Sequence, residues 1–101
     1  MGSVQEFFES LPQRVSADRI AGMNNIYVFE IDGAGTWTVA IADGALTVTE
    51  GEGTGDVTIS ASEESFEKIV AGEQNPTTAY MTGKLKIKGD MGAAMKLQKL
   101  F

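Results

Sequence analysis

Apolar and polar positions change period several times along the chain. Val4, Phe7, Phe8 and Leu11 recur at i, i+3, i+4 and i+7, one face of a helix. Ser3 and Glu6 precede and enter that face at capping-box spacing. Pro12 is expected to end or kink this helix, because it brings no N–H and crowds the preceding turn. Ser16 to Ala21 predicts a short second helical turn, stopped by Gly22.

The period then drops to two. Asn25–Ile31 is rich in β-formers, Thr36–Ala42 alternates Trp37, Val39 and Ile41 with small polar residues, and Ala45–Glu50 alternates again. Asp43-Gly44 predicts a two-residue type I′ hairpin, placing Ile41 opposite Leu46 and Val39 opposite Val48. Centring the preceding turn on Ala34 places Ile31 opposite Trp37, Phe29 opposite Val39 and Tyr27 opposite Ile41. Both registers gather the large apolar residues on one face and Glu30, Thr36, Thr38, Thr47 and Thr49 on the other. The sheet is therefore expected to have one buried face and one wet face. Trp37, Tyr27 and Phe29 accordingly read as core, not as a base-stacking platform.

Gly51-Glu52-Gly53-Thr54-Gly55 reads as a flexible link, since no helix follows to complete a phosphate site. Asp56–Ala61 is a fourth strand. Ser62 caps a helix whose apolar stripe is Phe66, Ile69 and Val70, ended at Gly72. Asn75-Pro76 opens another helix, carrying Tyr80 and Met81 to Gly83. Lys84–Lys88 alternates, with Leu85 and Ile87 on one side and three lysines on the other, and Asp90 caps a final helix running to Phe101. The pattern as a whole predicts an α+β fold.

That last helix is unusual. At 100° per residue, Gly92, Lys96 and Lys99 occupy one narrow side. Met91, Ala93, Ala94, Met95, Leu97, Leu100 and Phe101 cover most of the rest, an arc about twice the ~100° of an ordinary surface helix. Such a helix is either covered on two sides, as core, or lines a cavity on one of them. The methionines of this region (Met81, Met91 and Met95) suit a surface that adapts to varied apolar partners.

Composition narrows the chemistry. The chain has 101 residues, without cysteine or histidine. Disulfides, thiolate chemistry and the usual neutral-pH base are thereby excluded, and no cofactor or metal site is indicated. A net charge of −6 opposes nucleic-acid binding. The charge is also segregated: residues 1–83 carry 13 acids and 3 bases, whereas residues 84–101 carry 1 acid and 5 bases. Lys84, Lys86, Lys88, Lys96 and Lys99 read either as a solvated edge or as an attraction for an anionic headgroup or membrane surface. No nucleophile elbow, Walker loop or calcium loop occurs. No apolar run reaches the ~18 residues of a membrane span, and no targeting segment is evident, so a cytoplasmic protein of one domain is expected.

The order of elements, together with the string Gly83-Lys84-Leu85-Lys86-Ile87-Lys88-Gly89-Asp90-Met91-Gly92, resembles the sterol carrier protein type 2 family of non-specific lipid-transfer proteins. Tyr27-Val28-Phe29-Glu30-Ile31, Trp37-Thr38-Val39 and Asp43-Gly44 support the resemblance, which covers nearly the whole chain. It implies a five-stranded, mostly antiparallel sheet with helices on one face. It also implies an apolar tunnel between sheet and helices for fatty acid, fatty acyl-CoA or sterol-like ligands. The chain is shorter than the family's animal members and ends without their peroxisomal address. The expected walls are Phe66, Ile69, Val70, Tyr80, Met81, Ile87, Met91, Met95 and Leu97, with Lys84 and Lys96 as headgroup contacts. The expected function is non-catalytic lipid binding or transfer, with at most transient membrane contact. The alternative is a structural or regulatory interaction domain that forms a homodimer or binds a partner through the terminal helix, with no bound lipid. An enzyme would need carboxylate or metal chemistry for which the spacing offers no geometry.

Overall fold

A computed structural model describes residues 3–15, 17–51, 53 and 55–96. Helices α1 (Ser3–Arg14) and α2 (Ala17–Ile20) lead into β1 (Asn25–Asp32), β2 (Gly35–Ala42) and β3 (Ala45–Glu50). Then follow β4 (Val57–Ser62), α3 (Glu63–Val70), α4 (Pro76–Met81), β5 (Leu85–Gly89) and α5 (Met91–Lys96). The final helix is thus described only as far as Lys96, and Leu97 lies outside the described residues.

The five strands form one sheet in the order β3-β2-β1-β4-β5, antiparallel except where β1 and β4 run parallel. Asp43 and Gly44 both have positive φ, as a type I′ turn requires, and Ile41 faces Leu46 as expected. The first hairpin differs from expectation. Its turn is centred on Gly33, Ala34 N–H donates to Ile31 O at 3.0 Å, and Phe29 faces Trp37 while Tyr27 faces Val39. This register is two residues from the expected one. A two-residue slip preserves the side-chain faces, so Tyr27, Phe29, Ile31, Trp37, Val39 and Ile41 still share the buried face.

Pro12 does not end α1, which runs on to Arg14, and Val15 N–H donates to Leu11 O at 3.1 Å. The proline removes one donor in the last turns and leaves the bonds beyond it intact. Val4, Phe7, Phe8 and Leu11 are all buried. Phe8 is the hub: its ring lies nearly parallel to Trp37 at 4.7 Å and to Phe66 at 5.4 Å. Phe7 meets Phe66 edge-on at 5.5 Å. Ser62 caps α3, its Oγ accepting from Ser65 N–H at 3.1 Å. Asn75 caps α4, its Oδ1 accepting from Thr78 N–H at 3.4 Å.

The glycine-rich connection from β3 to β4 is not a free link. It reaches across three strand spacings, about 14 Å, with its glycines against the second face of the sheet. Gly51 N–H donates to Thr36 O at 2.8 Å, and Thr38 Oγ1 donates to Gly51 O at 3.1 Å. A Cβ on Gly53 would sit 2.8 Å from Thr38 Oγ1, and one on Gly55 2.8 Å from Ile26 O and 3.0 Å from Val28 Cγ2. Glycine is needed where backbone approaches this closely. Val28 is buried beneath this strap on the otherwise wet face.

Candidate functional site

The expected wall residues fall into two groups. Phe66 and Ile69 are buried in α3, Phe66 with the Phe7 and Phe8 rings of α1 against it, and Val70 is half-buried. Between α1 and α3 opens a cleft of about 910 Å³. Its floor includes Val4, Phe7, Phe66 and Val70, and its rim carries Glu6, Glu63, Glu64, Glu67 and Glu73 with Arg14 and Lys68. Lys68 Nζ lies 3.3 Å from Glu64 Oε1, an exposed i, i+4 pair.

The second group surrounds β5. Helix α4 packs on β5, and α5 packs on β4 and β5. Leu85 is buried and Ile87 half-buried against the core. Four large apolar side chains of the flanking helices are left uncovered: Tyr80 (43 % exposed), Met81 (79 %), Met91 (44 %) and Met95 (65 %). Ile26, on the wet face of β1, is the other large apolar side chain exposed among the described residues. In α5, Ala93 and Ala94 face inward, and Met91 and Met95, one turn apart, face outward. The described part of this helix is therefore apolar on two sides, one covered by the sheet and the other not. Lys84, Lys86, Lys88 and Lys96 are all exposed around it. Among the described residues, no group of three or more carboxylates converges to hold a metal ion, and no helix is long and apolar enough to cross a membrane.

The residue that positions α5 escaped the sequence reading. Tyr27 is fully buried, and its hydroxyl donates to Ala93 O at 2.7 Å, tying the last described helix to the central strand. Asp90 Oδ1 accepts from Gly92 N–H at 2.9 Å and Ala93 N–H at 3.2 Å, which starts the helix. Asp90 N–H donates to Asp56 O at 3.0 Å, and Asp56 Oδ2 accepts from Ile26 N–H at 2.8 Å. The start of α5 is thus clamped to the β4 entrance. The sequence signal was a tyrosine in a row of phenylalanine and aliphatic core residues. A buried hydroxyl needs a partner, and only a distant backbone group supplied one.

Burial, and secondarily the carboxylates of Asp56 and Asp90, push the Tyr27 hydroxyl up to about 12. The folded protein therefore holds this proton more tightly than the unfolded chain, where a tyrosine titrates near 10. Its contribution to stability is complete below pH ~10 and is lost as the pH rises towards about 12. We expect the urea midpoint of the wild-type chain to fall more steeply than that of Tyr27→Phe across this window. At neutral pH, Tyr27→Phe should lose about 1.5 kcal/mol, as a buried carbonyl loses its donor. Parallel pH profiles of the two proteins would refute the latch.

The sheet is five-stranded, and Tyr80, Met81, Met91 and Met95 stay exposed at the end where the last described helix packs on it. The chain belongs to the SCP-2 sterol transfer family, whose pattern matches residues 4–101. It is 39 % identical over 103 residues to the Homo sapiens hydroxysteroid dehydrogenase-like protein 2, covering 98 % of this chain and 25 % of that protein. The chain thus spans about a quarter of the length of the curated relatives it matches. Among solved structures, the sterol carrier protein domain 2 of Helicoverpa armigera superposes with a TM-score of 0.77 at 31 % identity, over 96 % of this chain and 81 % of that one. The apo sterol carrier protein 2 of Yarrowia lipolytica gives 0.78 at 24 % identity, over 93 % and 85 %, a likeness of fold.

Proposed function

We propose that the chain binds and hands over lipids bearing an acyl tail, without catalysis, the tail lying against α4, β5 and α5. The observation that carries this reading is the outward apolar face of α5, Met91 and Met95, beside Tyr80 and Met81 of α4. Membership of a sterol transfer family supports it. Methionine thioethers adapt to chains of different length and unsaturation, which suits a carrier of low selectivity. Burying ten methylenes would contribute about 8 kcal/mol before the losses of immobilisation. Half-buried Ile87 belongs to β5, the strand against which both helices pack, and Phe66, Ile69 and Val70 of α3 belong to the same core. Lys84 and Lys96 stand exposed where a carboxylate or phosphate headgroup would emerge.

The test is extraction of natively purified protein and identification of the released lipid by mass spectrometry, for wild type and Met95→Glu. The wild type is expected to carry acyl lipid and the variant to lose at least ten-fold in occupancy, since a carboxylate would be buried against the tail without a partner. Undiminished occupancy in Met95→Glu would remove α5 from the site. Lipid-free, monodisperse dimers of the wild type would instead assign the apolar face to protein contact.

A further inference from the structure

The edge of the sheet at β5 carries two chemistries on its two sides. On the wet face stand the exposed Lys86 and Lys88, with the exposed Lys84 just before the strand; on the helix side stand the exposed Tyr80, Met81, Met91 and Met95. β5 ends the strand order, so no further strand separates this edge from its surroundings. The carboxylates nearest the start of α5 are committed to backbone donors: Asp90 Oδ1 to Gly92 and Ala93, and Asp56 Oδ2 to Ile26. In the cross-strand row of Lys86 the acid is Glu30, two strands away, and its Oε1 accepts from Ser60 Oγ at 3.3 Å. The opposite sign dominates elsewhere, with the five glutamates around the α1–α3 cleft and a net charge of −10 over residues 1–83.

The geometry points to the β5 edge as the surface that docks on an anionic phospholipid bilayer, with lysines among the headgroups and the methionine and tyrosine side chains entering the boundary of the acyl region. This rests on the carrier reading above and names the partner at which cargo would be exchanged. The charge separation orients the molecule, because an anionic surface attracts the exposed Lys84, Lys86, Lys88 and Lys96 and repels the glutamates around the α1–α3 cleft. Exposed apolar tips beside a basic strand match the layered polarity of the lipid interface. Placing α4 and α5 at the bilayer would also open the proposed cargo site toward the membrane rather than toward water.

Co-sedimentation with vesicles tests this, using phosphatidylcholine alone and phosphatidylcholine containing phosphatidylserine. Each lysine near an anionic surface raises affinity about five-fold. The wild type should bind the phosphatidylserine vesicles, bind phosphatidylcholine weakly, and be released by salt. The double variant Lys86→Glu/Lys88→Glu should lose at least about twenty-fold in vesicle affinity while keeping its urea midpoint and its uptake of a fluorescent fatty acid in vesicle-free buffer. Wild-type affinity in that variant, or equal capture by both vesicle types, would overturn the proposal. Vesicle docking by a chain that takes up no fatty acid would uphold the surface and overturn the carrier reading. A chain that ignores vesicles and self-associates through this edge would assign the surface to a second copy and overturn the docking.

Discussion

Phe8→Ala is expected to destabilise the protein by about 4 kcal/mol, within the range for large-to-small aromatic substitutions in a closed core. The reason lies in how many elements the ring joins. It is fully buried on α1, lies parallel to Trp37 of β2 at 4.7 Å and to Phe66 of α3 at 5.4 Å, and tilts against Phe29 of β1 at 5.2 Å. Stacked and tilted pairs each add to the plain burial of area. Removing the ring leaves a space bounded by three rigid aromatic groups from three elements, which cannot all collapse into it. Small proteins have only about 5–15 kcal/mol of total stability, so the loss should lower the thermal midpoint by roughly 20 °C. Phe8→Leu, which retains most of the volume, should cost under about 2 kcal/mol. A loss below about 1 kcal/mol for Phe8→Ala in urea denaturation would show that the four rings do not form the centre of the core.

The period of the pattern is why so much of this fold was legible before the structure. Faces in a sheet depend on parity, so the expected first hairpin, displaced by two residues, still assigned Tyr27, Phe29 and Trp37 to the core. The second hairpin was placed in register because Asp43-Gly44 accepts only one tight turn. The first turn, Asp32-Gly33-Ala34-Gly35, has two glycines with positive φ, and local chemistry did not choose between the centres they allow. Pro12 misled for a related reason: the rule that proline breaks helices weakens near a helix end, where fewer bonds remain to be lost.

The candidate site was legible in composition and obscure in position. An α5 apolar on two sides was visible in the sequence, and the structure divides those sides into buried Ala93 and Ala94 and exposed Met91 and Met95. Phe66, grouped with them on stripe periodicity, packs its ring against Phe7 and Phe8 of α1, a contact no stripe could foretell, because a stripe says that a face is covered but not by what. The tie from Tyr27 to Ala93 spans 66 positions, a separation no local pattern encodes. The strap at Gly51, Gly53 and Gly55 is similar. Glycine alternation also describes an unstructured link, and only the contacts with Thr38, Ile26 and Val28 separate the two.

Gly89→Ala is expected to be the most damaging single methyl addition near the site. Gly89 has φ +115, a conformation side chains of L-residues rarely adopt, and a Cβ there would overlap the carbonyl oxygen of Asp56, with Val57 Cα at 3.1 Å. Both obstacles are backbone, Val57 as the ladder partner of Gly89 and Asp56 as the residue just before it, so neither can rotate aside. That Asp56 carbonyl is also the acceptor for Asp90 N–H, the bond that starts α5. Strain of about 1–3 kcal/mol from the dihedral alone would add to the cost of parting the two strands, giving a loss above about 3 kcal/mol. Gly83→Ala is the control: φ is +82 but a Cβ there meets nothing within 4 Å, so only the dihedral term of about 1 kcal/mol should appear. The damage at Gly89 should also be local in kind. With α5 displaced, the Tyr27 hydroxyl loses Ala93 O and with it the burial that raises its pKa, so its titration should move from about 12 back toward the ordinary value near 10. Equal denaturation midpoints for Gly89→Ala and Gly83→Ala, with the Tyr27 titration unmoved, would refute the close crossing of Asp56 and Gly89 and, with it, the clamp that holds the proposed lipid-facing helix in place.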